Sequence, residues 1–134
     1  MASIVDIEGI GPAYKEKLAG AGIKTTEKLL EVAGAKAGRV KLAEEISVSE
    51  ATVLEWVNRA DLMRVKGVGE EYSDLLEAAG VDSPAELAHR NAANLTVAME
   101  EYNQEHNIVR RTPTESEVQG WIDDAKTLEK VVTH

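Results

Sequence analysis

The residues best suited to chemistry form a short run near the start of the chain, Ile7-Glu8-Gly9-Ile10-Gly11-Pro12. Two glycines flanking one aliphatic residue permit a tight hairpin with positive φ, and Pro12 sits where the first turn of a following helix tolerates it best. Successive backbone N–H groups at Gly9, Ile10 and Gly11, continued by a helix N-terminus, make a concave donor site with positive partial charge. A phosphate oxygen fits there because glycine has no Cβ to hold it off. Lys15 and Lys17 follow as nearby phosphate partners, and Lys36, Arg39 and Lys41 form a second basic cluster. The competing reading makes Gly-aliphatic-Gly a joint that lets two short helices cross closely, with Ile10 plugging the core and the cations on a solvated face. The motif alone leaves both readings open.

The run recurs. Val65-Lys66-Gly67-Val68-Gly69-Glu70-Glu71-Tyr72 aligns with Ile7 to Tyr14 at an offset of 58, and the match continues through Leu18/Leu76, Ala21/Ala79, Gly22/Gly80, Ile23/Val81 and Leu29/Leu87. Glu50, Val53, Trp56 and Ala60 recur as Glu115, Val118, Trp121 and Ala125 at an offset of 65. The second copy therefore carries about seven extra residues in its middle. Gly67, Val68 and Gly69 read as structural, because Glu70, Glu71 and Asp74 put carboxylates where a phosphate would sit. Tyr14 and Tyr72 occupy matching positions. They read as packing residues with surface hydroxyls rather than as platforms for a nucleobase.

No other constellation supports chemistry. His89, His106 and His134 are scattered and lack a metal-ligand spacing such as His-x-x-x-His. No Ser/His/Asp set or carboxylate pair has a spacing that supports nucleophilic or general acid/base catalysis. The chain is read as no enzyme, with no metal centre and no small-molecule substrate.

The elements that must carry these residues are helices. The first hairpin opens a helix that runs to Ala21-Gly22, where glycine supplies a left-handed cap, and the equivalent helix of the second copy runs to Ala79-Gly80. The next helix starts at Thr25 or Thr26. Its counterpart starts at Ser83-Pro84-Ala85-Glu86, which combines an N-cap serine, Pro at the first position and a capping-box Glu. Helices at about 36–46 and 49–60 complete copy one, and about 92–106 and 114–128 complete copy two, the last opened by the capping box Thr114-Glu115-Ser116-Glu117. Val53, Trp56, Val57 and Ala60, like Val118, Trp121, Ile122 and Ala125, fall at helical spacing. No stretch alternates with the period of a strand, so the chain is read as all-α.

Composition narrows the partners. The 134 residues are 43% hydrophobic and 29% charged, contain no Cys, and carry a formal charge of −9. Disulfides and thiolate zinc sites are excluded. No apolar run approaches the roughly 18 residues of a membrane span, and the first residues have neither the basic nor the apolar region of a secretory signal, so the protein is expected to be soluble and cytoplasmic. The negative charge argues against a general nucleic-acid coat protein. Its distribution qualifies that argument: residues 1–60 hold eight basic and nine acidic side chains, a balance of −1, whereas residues 61–134 hold seven and fifteen, a balance of −8.

The stretch from Ile7 through Gly11-Pro12 to Leu18-Ala19-Gly20-Ala21-Gly22-Ile23 resembles a helix-hairpin-helix motif. With Leu42-Ala43-Glu44 and Ser49-Glu50-Ala51 included, it resembles the five-helix N-terminal domain of archaeal and eukaryotic RecA-like recombinases. The whole chain is similar to a bacterial family of tandem helix-hairpin-helix proteins labelled as a domain of unknown function. The resemblance implies two tandem pseudo-repeated helix-hairpin-helix (SAM-like) bundles of about five short helices each. They would occupy residues 1–61 and 62–134 and pack together, since units of this size lie near the lower limit for an independent core. It also implies non-specific binding to the DNA backbone, a monovalent cation held by hairpin carbonyls in some members, and no catalysis. The basic residue that such hairpins often carry two positions after the second glycine is absent, because Ala13 and Glu71 stand there. Two functions remain in view. One is weak, sequence-independent DNA binding through hairpin one. The other is a protein-protein adaptor whose hairpins are structural and whose acidic second half docks a basic partner.

Overall fold

The structure, a computed structural model, describes residues 3–134. Among them the regular elements are eight α-helices and one short 3-10 turn, Ile4–Asp6, with no strand beyond an isolated bridge between Ser3 and Thr25. The all-α reading is correct. The chain divides into two compact units, one running to Asp61 and completed by Lys130–His134, the other Leu62–Glu129. The last five residues thus belong to the first unit and not, as chain order suggests, to the second half.

In the first unit the helices are α1 (Pro12–Gly20), α2 (Thr26–Ala33), α3 (Lys36–Ile46) and α4 (Glu50–Leu62). Local chemistry sets their ends. Pro12 occupies the first turn of α1, which needs no N–H there. Gly22 at φ +83° turns the chain after α1, and the Ile23 N–H reaches back 2.8 Å to the Leu18 carbonyl. Thr25 caps α2 by accepting from the Lys28 N–H at 3.2 Å. The core is mostly aliphatic, with Ile4, Ile7, Ile10, Leu18, Ile23 and Leu29 buried together with the apolar stripe Val53, Trp56, Val57 and Ala60 of α4.

The second unit holds α5 (Glu70–Ala78), α6 (Pro84–Ala88), α7 (Ala92–His106) and α8 (Glu115–Ala125). The Val81 N–H bonds the Leu76 carbonyl at 2.9 Å, after Gly80 at φ +93°. Ser83 caps α6 through the Glu86 N–H at 3.1 Å, but the Glu86 carboxylate turns to Arg90 at 3.6 Å instead of closing a capping box. At α8 the box is complete: Thr114 accepts from the Glu117 N–H, and Glu117 accepts from the Thr114 N–H at 3.1 Å. That helix ends at Ala125, three residues before the sequence-based boundary, where Thr127 Oγ1 donates to the Asp124 carbonyl at 2.7 Å. Val65, Val68, Leu75, Leu76, Val118 and Trp121 lie in its core.

Candidate functional site

Hairpin one is built from the turn before α1. Gly9 has φ +93°, so the backbone calls for glycine, while a Cβ there would make only an ordinary 3.5 Å contact with Trp56 Nε1. Ile10 points inward and is 4% exposed, which makes it the core plug. Its N–H is spent on the Ile7 carbonyl at 3.1 Å, so the expected run of three free N–H groups at Gly9, Ile10 and Gly11 is broken in the middle. Gly11 differs from Gly9. It is the N-cap of α1 with extended backbone, φ −91° and ψ −172°, and a Cβ there would meet nothing within 4 Å. Neither strain nor crowding inside the protein requires glycine at this position. The open donors are therefore those of Gly9 and Gly11 and, beyond Pro12, of the first turn of α1, where no acidic side chain stands.

Hairpin two repeats the backbone with a different chemistry around it. Gly67 has φ +93°, with a Cβ position 3.0 Å from Trp121 Nε1; Val68 is buried and its N–H bonds the Val65 carbonyl at 3.0 Å; Gly69 caps α5 at φ −104°. Glu70 and Glu71 occupy the first turn of α5. Tyr14 packs on Trp56 with ring centroids 5.3 Å apart, and Tyr72 packs on Trp121 at 5.1 Å. Both tyrosines are packing residues. Tyr72 also donates to the Arg111 carbonyl at 3.0 Å.

The sharpest difference lies at a position that the motif did not single out. In hairpin one Arg59 Nη1, from α4, donates to the Glu8 carbonyl at 3.1 Å. In hairpin two the Asp124 carboxylate, from α8, accepts the Lys66 N–H at 2.9 Å. Residues 59 and 124 correspond at the same offset of 65 that relates the two tryptophans. The register alone pairs a cation with an anion there, but only the fold shows that both side chains reach a hairpin. The second hairpin already holds an anion, an internal carboxylate, whereas the first has a guanidinium beside it.

The basic residues of the first unit separate. Lys15 is exposed on α1 and makes no ion pair among the described residues. Lys17 Nζ donates to the Ile46 carbonyl at 3.4 Å, at the C-terminus of α3, and lies 5.7 Å from the Tyr14 ring centroid. It is thereby drawn toward the far end of α3. Lys36 and Lys41 are exposed on α3 and bond to no hairpin residue among those described. Arg39 leaves the surface cluster altogether. It is 1% exposed, with Nε 3.1 Å from Glu50, Nη1 2.7 Å from the Gly34 carbonyl and 3.3 Å from that of Ala33, and Nη2 2.6 Å from that of Thr133. A buried guanidinium with every nitrogen bonded serves the fold. The hairpin site thus comprises Gly11, Lys15 and the neighbouring Arg59, and excludes Arg39.

In the second unit Arg111 forms a bidentate pair with Glu117 at 2.9 and 3.0 Å. The Arg111 hydrogen bond, with the Thr114 N–H next, lowers the Glu117 carboxyl to a pKa of about 2. Asn103 fixes the loop after α7 by bonding both backbone groups of Val109, donating at 3.1 Å and accepting at 2.8 Å. No group of three His, Asp or Glu side chains able to hold a metal occurs among the described residues, and no helix there is long and apolar enough to cross a membrane.

No curated protein and no solved structure matches the chain. Residues 8–128, spanning most of both units, match the family described as Domain of unknown function (DUF4332), and the chain belongs to that family.

Proposed function

We propose that the chain is a non-catalytic binding module built from two helix-hairpin-helix pseudo-repeats, and that its first hairpin takes the phosphate backbone of DNA without reading bases. The observation that supports this most directly is the exchange between Arg59 at the first hairpin and Asp124 at the second. The side chain that reaches in from α4 to the first hairpin is basic and the one that reaches in from α8 to the second is acidic, which favours phosphate at the first. Gly11 adds to it: a glycine that the interior does not require leaves room for close approach from outside. With about three phosphate contacts the salt slope is about −2.7, so a fourfold rise in salt weakens binding about 40-fold. The net charge of −8 on residues 61–134 favours a second role for the other unit, docking of a basic protein surface.

The test is a fluorescence-anisotropy titration with labelled duplex and single-stranded DNA at about 50 mM salt. The variants are Gly11→Val, which places a branched side chain in open space, and Lys15→Glu. Neither substituted position is buried, so Lys15→Glu is expected to melt like the wild type and Gly11→Val to lose about 1 kcal/mol as the poorer N-cap, which leaves both folded. Both lose at least tenfold in affinity if the hairpin holds phosphate. A wild type that binds neither DNA refutes the reading, and binding indifferent to both substitutions refutes the residue assignment.

A further inference from the structure

The segment Lys130–His134 lies against the first unit as an extended peptide. The Thr133 N–H donates to the Gly34 carbonyl at 2.9 Å, and the Thr133 carbonyl accepts from Arg39 Nη2 at 2.6 Å. Val132 is 5% exposed, while Val131 and Thr133 on either side face solvent. That is the one-in, two-out pattern of an extended strand docked by a single side chain. The approach is backbone to backbone: a Cβ on Gly34 would collide with the Val131 carbonyl oxygen.

The receptor side is assembled without the segment. Arg39 is held by the Glu50 carboxylate through Nε and by the Ala33 and Gly34 carbonyls through Nη1, all residues of the first 61. This leaves Nη2 aimed outward for a peptide carbonyl, and the Gly34 carbonyl placed for a peptide N–H. A donor and an acceptor fixed beside the place where the Val132 side chain is buried are the parts of a preorganised peptide site, in which main-chain bonds give affinity and the buried side chain gives specificity.

We propose that this groove is a peptide-binding site for an extended segment with a branched aliphatic residue, that Lys130–His134 is its occupant in cis, and that it takes the same segment in trans when the resident copy is displaced. Two main-chain bonds and one buried side chain hold the segment, so it opens far more readily than the helices do. A competing peptide meets a groove that is mostly filled, and its apparent affinity falls by the fraction of molecules that are open.

The experiment uses the full chain carrying Val132→Asp and Thr133→Pro, which remove the buried side chain and the N–H donor of the resident segment. A fluorescein-labelled peptide of residues 128–134, blocked at both ends, is titrated by anisotropy against this variant and the wild type. The variant is expected to bind the peptide at least tenfold more tightly than the wild type does. Peptides carrying Val132→Asp or Thr133→Pro are expected to bind neither. A folded variant that ignores the parent peptide overturns the proposal, as does equal binding of the three peptides. A variant that loses its cooperative melt shows the segment to be an integral part of the core and overturns it too. Amide exchange on the wild-type chain provides a second reading: Thr133 exchanges at least tenfold faster than the core amides of α4 if the segment detaches. Exchange of Thr133 only on global unfolding is the contrary result.

Discussion

Replacing Arg39 with methionine separates a buried structural guanidinium from a surface phosphate contact. Methionine keeps most of the apolar stem packing and deletes the charge with its four bonds, three to the carbonyls of Ala33, Gly34 and Thr133 and one to Glu50. Removing one partner of a buried ionic network costs about 3–5 kcal/mol. The Glu50 side chain is 34% exposed, so its carboxylate regains water and that arm contributes little. The Gly34 carbonyl also keeps the Thr133 N–H. The loss therefore falls at the lower end, about 3 kcal/mol, and a urea slope of about 2 kcal/mol/M converts it to a midpoint lower by about 1.5 M. The chain has two tryptophans, one in each unit, so the measurement is urea unfolding followed by Trp56 emission in a Trp121→Phe background. A buried network resists salt, and the difference persists at about 1 M NaCl, where a surface pair is screened. A loss below about 1 kcal/mol, the scale of an exposed ion pair, refutes the buried role. So does an Arg39→Met protein of normal stability that has lost DNA binding.

Three further outcomes follow from the same geometry. Asp124→Arg turns the second hairpin toward the chemistry of the first and raises DNA affinity severalfold at about 50 mM salt, read by anisotropy, whereas Asp124→Asn keeps an acceptor for the Lys66 N–H and leaves the melting temperature nearly unchanged. The Glu117 carboxyl titrates near 4.3 unfolded and at about 2 folded, so its contribution is present above pH about 4.3 and is lost as the pH falls toward 2. Glu117→Gln, which retains a side chain able to complete the capping box, flattens that part of the curve of urea midpoint against pH; parallel curves for the two proteins contradict the pairing. Gly38→Ala gains about 1 kcal/mol of helix propensity but drives a Cβ into the Val32 carbonyl oxygen of α2, which cannot rotate away, and the net loss is about 1–2 kcal/mol in thermal or urea unfolding.

Most of the helical framework was legible because its signals are local. Thr25, Ser83 and Thr114 each cap a helix by accepting an N–H three residues on, and Gly9 and Gly67 are glycines at φ +93°. The apolar residues Val53, Trp56, Val57 and Ala60 needed only the period of 3.6 to be placed inside. Glu86 illustrates the limit of a local rule: the capping-box pattern is present, but an ion pair with Arg90 takes the carboxylate.

The sequence by itself determined the helices, their caps, the paired hairpins and the segregation of negative charge, because each rests on residues within a few positions of one another or on composition. Tertiary structure decided which cations are free. Arg39 bonds Thr133 across 94 positions, and the Lys17 ammonium bonds the Ile46 carbonyl across 29. Nothing in a basic cluster or in a helical face announces such partners, because a charged side chain is solvated or buried according to what the distant chain brings to it. The same cause moved Lys130–His134 to the first unit: Val132 is buried there and Thr133 bonds Gly34 and Arg39, and chain order carries no information about that.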